Sequence, residues 1–545
     1  MLSPSLGRLL GLAALAALPV LALTAFFVLP VAAMLSEGLA DGVGAGGALE
    51  VLGRDRTHDV VLFTLVTAAA GTLLSVVLGL PAAHVLHRTR LPLRTPVRAA
   101  LLVPFVLPTV VVGVAFRQLL REGGPLGFLG LDGTPAAIVL GLVFFNVAVV
   151  IRVVGSAWES LDPRSAQAAA TLGASPATVF RTVTLPALLP AVVSAATVVF
   201  LFCATAFGIV LTLGGSRYAT VETEIYLLTV TLFDLQGAAA LSLLQLVVVG
   251  VLLLAARRAR AVAPSARAHA RPRRPTRADT LPVATTLLLL LYVAVPVAAL
   301  VTGSLRVDGR WSLGNYAALT TTGDRQTLLV PVTEALINSL RTAVDATWMA
   351  VGVGLLVALV VTRRSRSATE RRVRGALDGF FLLPLGVSAV TLGFGFLIAL
   401  DQPPLDLRDS RLLVPVAQAL VALPLVVRTL VPVLASIDDR QRQAAASLGA
   451  GPLRTLTTVD VPVLWRPLLA GAGFAFAASL GEFGATSFLA RDDAPTMPVV
   501  IFRLLGQPGQ MNYGMALAAS VVLAATTALV MLLVERLRVP SLGTF

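Results

Sequence analysis

The residues best placed to do work in this chain are spelled twice. Gln167-Ala168-Ala169-Ala170-Thr171-Leu172-Gly173 is followed by Val183-Thr184-Leu185-Pro186. Gln443-Ala444-Ala445-Ala446-Ser447-Leu448-Gly449 is followed by Val459-Asp460-Val461-Pro462, each position 276 residues beyond its counterpart. Neither copy pairs a nucleophile with a base, and neither has metal-ligand spacing, so the chemistry on offer is recognition by contact. Asp162-Pro163 and Asp438-Asp439 suit helix N-termini, and the Ala-rich stretches that follow are good helix formers. Gly173-Ala174-Ser175-Pro176 and Gly449-Ala450-Gly451-Pro452 then break the helix, and a second short helix should end at Leu185-Pro186 or Val461-Pro462. Each copy reads as a helix–turn–helix elbow whose Ala faces and Gly turn let another protein approach closely.

The other chemically pointed residue is Glu482, in Ser479-Leu480-Gly481-Glu482-Phe483-Gly484 within an apolar run. A charge at mid-membrane costs about 2.5–3.5 kcal/mol or more, so Glu482 should face the interior as a pathway or gating residue. The 276-residue register also pairs Phe207-Gly208 with Phe483-Gly484, Leu107-Pro108 with Leu383-Pro384, and Tyr226 with Phe502. Pro108 and Pro384 should kink the third helix of each half and, with the Phe-Gly pairs, are gate candidates. Arg341 and Asp345 are spaced to pair along one helix. Asp378 and Arg428 read as span-end residues that snorkel, and Glu222 and Glu224 as part of a solvated outer loop. His58, His84, His87 and His269 show no metal-ligand spacing, and the one cysteine, Cys203, excludes an internal disulfide.

These residues need a frame, and the composition supplies it. The 545-residue chain is 57% hydrophobic and 13% charged, with mean hydropathy +0.87; a soluble domain carries about 25% charge. Apolar runs long enough to span a bilayer recur near 9–35, 60–86, 98–120, 136–156, 187–213 and 236–256, then near 281–303, 335–362, 376–400, 412–434, 464–490 and 514–535. The expectation is an all-α polytopic membrane protein with about 12 transmembrane helices in two parallel six-helix repeats, 1–256 and 281–545, joined by an Arg/Pro-rich tether at 257–280. The first run exceeds a signal-peptide core and reads as a retained helix. The net charge is +13 and there is no Lys, so every base is Arg. These Arg cluster between spans on one side, which places both termini and the tether in the cytoplasm and makes a bilayer, not nucleic acid, the expected surface.

The pattern Glu-Ala-Ala-x3-Gly-x9-Ile-x-Leu-Pro is the signature of ABC importer permeases, and both copies resemble it in the expected loop. Ala168, Ala169, Gly173, Leu185 and Pro186 match in the first copy; Ala444, Ala445, Gly449 and Pro462 match in the second. Gln167 and Gln443 stand where the family has Glu, Val183 and Val459 where it has Ile, and Val461 where it has Leu. The resemblance implies a type I importer permease fold and makes the elbows coupling helices seated on a homodimeric ABC ATPase that uses ATP-Mg. It also implies an extracytoplasmic substrate-binding protein and a bacterial inner-membrane location. The chain itself should bind no cofactor or metal and should not be an enzyme, because a phosphate-binding G-x-x-x-x-G-K-[ST] loop needs a Lys. The fused layout resembles iron(III) and thiamine importers. The stretches Phe207–Gly215, Glu222–Tyr226, Phe233-Asp234, Leu241–Leu246 and Leu383–Val390 look closer to the thiamine branch. A major-facilitator transporter is the rival class; its G-x-x-x-D-R-x-G-R-R loop has no counterpart in His87-Arg88-Thr89-Arg90-Leu91-Pro92.

Overall fold

In the computed structural model, residues 4–39, 48–90, 94–215, 217–260, 273–363, 365, 367–381, 383–401 and 406–536 are described. Among them, ten helices are long and apolar enough to cross a membrane, and a bent pair makes an eleventh span. The first half holds Gly11–Gly38, Asp55–Arg88, Pro135–Ser160, Pro176–Ala204 and Leu235–Leu254; the second holds Arg277–Ser304, Val332–Thr362, Leu413–Ser436, Leu453–Leu480 and Gln510–Val534. Sorting by burial is what a lipid-facing helix requires. On Asp55–Arg88, Leu62, Val66, Leu73 and Val77 are exposed while Val60, Thr64, Ala68 and Ser75 are buried, a stripe at helical period.

The count of twelve continuous spans is corrected at the third span of each half. Pro96–Val106 and Thr109–Leu120 meet at 104°, far more than a kink. Pro108 has no N–H to continue the ladder, and it bars Leu107 from helical geometry; Pro108 itself is extended, with φ −56° and ψ 138°. In the second half Ala368–Phe381 and Ala389–Ala399 are separated by the 3₁₀ turn Leu383–Gly386. The fifth spans also end early. Leu185–Ala204 and Val461–Leu480 stop in matching register, followed by the short helices Gly208–Gly214 and Thr486–Leu489. Val221–Val230 and Met497–Gly506, one repeat apart, then lead to the sixth spans.

The first helix of each half packs on the other half. Leu12, Ala16, Leu23 and Phe27 share a core with Val357, Phe381, Phe396 and Leu420. Reciprocally, Leu289, Val293 and Ala299 share a core with Phe116, Phe144 and Val147, where the Tyr292 hydroxyl donates to the Leu140 carbonyl. Between these two cores lies a third that mixes both halves, including Val110, Phe207, Ile225, Phe394, Phe483 and Met515. The halves are therefore interlocked, and neither buries its apolar surface alone.

Most of the tether, 261–272, lies outside the described residues. Its last part is docked, which differs from the solvated tether expected. Arg273 N–H donates to the Arg88 carbonyl at 3.0 Å and its own carbonyl accepts from Arg90 N–H at 2.8 Å. Buried Asp279 accounts for the difference: it accepts from the Arg273 guanidinium at 2.7 and 2.8 Å and pairs with His84 Nε2 at 2.8 Å.

Candidate functional site

Both elbows fold as their residues dictate. Asp162 and Asp438 cap Pro163–Thr171 and Asp439–Ser447, accepting from Arg164 N–H and Arg440 N–H at 2.9 and 3.0 Å. Each helix ends in a left-handed glycine, Gly173 at φ +85° and Gly449 at φ +81°. The next amide turns back, Ala174 to Ala169 and Ala450 to Ala445, at 3.1 and 3.0 Å, which is a Schellman closure. The short helices Pro176–Val179 and Pro452–Thr455 do not end at the Leu-Pro and Val-Pro steps as expected. They continue through π-helical turns, Phe180–Thr184 and Leu456–Asp460, into the fifth spans. Pro186 and Pro462 come just after these π segments, in which Leu185 and Val461 N–H reach back to the Phe180 and Leu456 carbonyls; the wider π turn makes room for a proline inside a continuous helix. Elbow and span are thus one bent rod.

Gln167, Ala168, Gln443 and Ala444 are exposed, Ala169 and Ala445 half-buried, and no residue of either elbow helix is buried. Leu172 and Leu448, one repeat apart, are each 89% exposed. Each elbow thus carries one exposed leucine beside its glycine turn, in repeat register. Leu185, Pro186, Val461 and Pro462 lie at the start of the rod, where Leu185 is half-buried and the other three are exposed.

The second elbow has a brace that the sequence reading missed. Asp460, fully buried, accepts from Arg363 Nη2 at 2.6 Å and Arg442 Nε at 2.8 Å. Arg442 also donates to Asp439 at 3.0 Å, so the elbow helix, its rod and the second span of that half are tied by one carboxylate. Thr184 occupies the equivalent place in the first elbow. There His87 Nδ1 and Glu159 pair at 2.8 Å, and Trp158 stacks between His84 and Phe180. An acid at the mouth of an apolar run was the available signal for Asp460.

At the far end of the rods the gate candidates meet. Leu185–Ala204 has 20 residues, which at 1.5 Å each places Phe207 about 30 Å from the elbow. The Phe207 and Phe483 ring centroids are 5.2 Å apart; Tyr226 lies 5.4 Å from Phe207 and Phe502 5.5 Å from Phe483. Two repeat-related pairs thus form one aromatic row across the interface between halves. On its elbow side is a cavity of about 480 Å³. It is lined by both halves, including Gly208, Gly484, Pro384, Glu482 and, farther toward the elbows, Thr197 and Arg428. Pro108 is not among the lining residues; it packs against Gly481 instead.

Glu482 reaches the cavity wall, but its carboxylate is engaged by its own chain. Ala485 and Thr486 N–H donate at 2.8 and 2.9 Å, and the Thr486 hydroxyl donates as well. It holds open the break after the fifth span. Three sequence expectations are corrected. Arg428 lines the cavity from within Leu413–Ser436 rather than snorkelling at its end. Asp345 accepts from Trp348 Nε1 at 3.3 Å, in place of the expected pairing with Arg341. Glu222 and Glu224 are buried on the helix Val221–Val230, not solvated. Glu224 takes Arg56 through two bonds of 3.0 and 2.7 Å. Glu222 accepts from Gln245 Nε2 at 3.0 Å and, across the halves, from Ser388 Oγ at 2.9 Å. Among the described residues no group of three His, Cys, Asp or Glu is placed to hold a metal ion.

Comparison with known proteins fits this geometry. The family model described as "binding-protein-dependent transport system inner membrane component" matches twice, over residues 71–261 and 350–538. The thiamine transport system permease protein ThiP of Brucella abortus is 28% identical over 504 residues, 89% of each chain. That of Escherichia coli is 29% identical over 474 residues, 82% of this chain and 83% of its own. The molybdenum transport system permease protein ModB of Mycobacterium tuberculosis is 40% identical over 210 residues, 36% of this chain and 78% of its own. The doubled family match sets aside the major-facilitator alternative and agrees with the doubled elbow. This chain belongs to the binding-protein-dependent transport system inner membrane component family, as a fused two-repeat ABC importer permease of multi-pass membrane topology.

Proposed function

We propose that this permease imports thiamine. An extracytoplasmic binding protein delivers it to the face carrying the aromatic row, and a homodimeric ABC ATPase drives transport by binding Mg-ATP beneath the two elbows. The observation that carries the motor assignment is the matched pair of elbows. Equal exposure of Leu172 and Leu448 and equal left-handed turns at Gly173 and Gly449 suit two identical sockets. The likeness to proteins named as thiamine permeases, over 89% and 82% of the chain, supports the substrate. So does a cavity whose size suits a small organic ligand and whose walls carry Phe105, Phe145 and Phe202. Iron(III) is the second reading, and the likeness of part of the chain to a molybdenum permease makes an oxyanion a third. Among the described lining residues Glu482 is the only acid, which is a poor match to a hard trivalent cation.

Both termini face the cytoplasm in this arrangement, and the sealed aromatic row with a cavity on the elbow side is an inward-facing state. Two experiments test the proposal. Gly173→Val with Gly449→Val should abolish ATPase copurification, because a β-branched residue in left-handed geometry costs about 1–2 kcal/mol or more at each turn; undiminished copurification and uptake would refute the docking role. Reconstituted with its binding protein and ATPase, the complex should accumulate thiamine in proteoliposomes on ATP addition; accumulation of iron(III) or molybdate instead would refute the substrate.

A further inference from the structure

The elbows and the aromatic row obey the internal repeat, but the cavity between them does not. While the second half contributes Arg428 and Glu482, the uncharged hydrogen-bonding side chains of the cavity come from the first half. Asn146, Thr197 and Thr205 line it there; one repeat on, their places are taken by Ala422, Gly473 and Gly481. The aromatic lining is also unequal: Phe207 and Phe483 line it as a pair, but Phe145 and Phe202 correspond to Val421 and Ala478. Two halves that dock one symmetric motor therefore present very different walls to whatever crosses between them.

The polarity of that wall is specific. Thr197 and Thr205 spend their hydroxyl protons on Val193 and Leu201 carbonyls of their own helix, at 2.8 and 2.9 Å. Asn146 Nδ2 donates to the Leu142 carbonyl at 2.9 Å and to Cys203 Sγ at 3.4 Å, which orients the amide. The donors of these three side chains are all used, and what the three leave to the cavity is oxygen lone pairs; Arg428 lines it from the second half. Asn146 is 1% exposed and its Oδ1 has no partner. A buried acceptor without a donor is destabilising, and a donor on the cargo would offset that cost. Phe105 and Phe145, 5.5 Å apart, stand beside it, and their ring faces favour a flat or cationic ligand.

We infer that this wall is a transient binding site for an amino-substituted heteroaromatic ring, with Asn146 Oδ1 accepting from the exocyclic amine and Thr197 and Thr205 offering further acceptors. The inference rests on the proposed thiamine reading and deepens it: thiamine carries such an amine on its pyrimidine ring. Asn146 is then a specificity-determining residue within the permease, separate from any selection by the binding protein.

The test uses the reconstituted complex with the binding protein saturated by either of two cargoes, thiamine or its analogue with an oxo group in place of the exocyclic amine. Saturation removes the binding protein's own preference from the rate. The wild-type complex should import the amine faster. Asn146→Leu should slow the amine about three- to tenfold, the worth of one hydrogen bond, and leave the oxo form unchanged; Asn146→Asp, which keeps an acceptor, should retain the preference. If Asn146→Leu slows both cargoes equally, Asn146 is a packing residue and the inference fails while the thiamine reading stands. If it alters neither rate, the inference fails in the same way. If the wild-type complex imports neither cargo, the thiamine reading itself fails and the inference with it. Should Asn146→Leu not assemble, Thr205→Val carries the same comparison from the neighbouring acceptor.

Discussion

Asp460→Ala should separate ATP hydrolysis from transport. The carboxylate is fully buried and receives Arg363 at 2.6 Å and Arg442 at 2.8 Å. Removing one member of a buried ion pair costs about 3–5 kcal/mol, because the remaining charge is left uncompensated. The lower end applies here. The Arg363 side chain is 30% exposed and can rehydrate, and Arg442 keeps Asp439 at 3.0 Å. About 3 kcal/mol taken from the orientation of the second elbow lowers its aligned population by roughly two orders of magnitude. The first elbow has Thr184 at this place and is untouched, so the ATPase should still be recruited. The expected result in proteoliposomes is uptake reduced at least tenfold with hydrolysis largely kept, so that cargo moved per ATP falls. Asp460→Asn keeps the shape and one acceptor and should fall between. A double-mutant cycle with Arg442→Met should show the two losses to be far from additive. Unchanged cargo per ATP in Asp460→Ala would refute the claim that this carboxylate transmits the elbow's movement.

Phe207→Ala combined with Phe483→Ala removes every ring pair of the row; each truncation costs about 3–5 kcal/mol of packing, and the double variant should leak small solutes without ATP, measured by dye efflux from proteoliposomes. Equal tightness to wild type would mean that the row is not the seal. Leu172→Asp with Leu448→Asp should abolish ATPase copurification while leaving Tm nearly unchanged, since both side chains are 89% exposed and surface changes rarely exceed about 0.5 kcal/mol; persistence of the complex would move the docking surface elsewhere. Ser388→Ala strips Glu222 of its donor from the opposite half and should cost about 1–3 kcal/mol, read as a lowered Tm in detergent. A Tm equal to wild type would show that the halves do not depend on that bond.

The helical class and most spans were legible because lipid imposes length and hydropathy on each segment independently. The elbows were legible because a cap, an Ala run and a Gly stop are local signals that need no tertiary context. The third spans were misread as continuous because hydropathy does not register the geometry that Pro108 imposes. The same blindness ran the fifth spans past Ala204 and Leu480 into the short helices beyond. Glu222 and Glu224 looked solvated for a related reason. Two acids before an apolar run are ordinary loop chemistry until Arg56, Gln245 and Ser388 arrive from distant segments. Arg428 failed in the opposite direction: snorkelling is the usual fate of a lone Arg near a span end, and only the meeting of both halves makes a cavity for it to line.

Repeat symmetry in this chain follows what each region must face. The elbows keep their capping, their left-handed glycines and their exposed leucines in register, as the proposed docking on two equal sockets would require. The aromatic row keeps its register too, with Phe207 opposite Phe483 and Tyr226 in the place of Phe502, as a proposed seal on the axis between halves would need. Register is lost where no such constraint acts. A cargo molecule without two-fold symmetry gains nothing from identical walls, and Asn146, Thr197 and Thr205 have Ala and Gly as their counterparts. The braces behind the elbows differ as well, an ion network at Asp460 and a stack through Trp158, because each need only stiffen its own rod. Fusing two permease halves in one chain allows this division. The first helices exchanged between halves hold the pairing in place, so the inner walls are free to diverge without the halves parting.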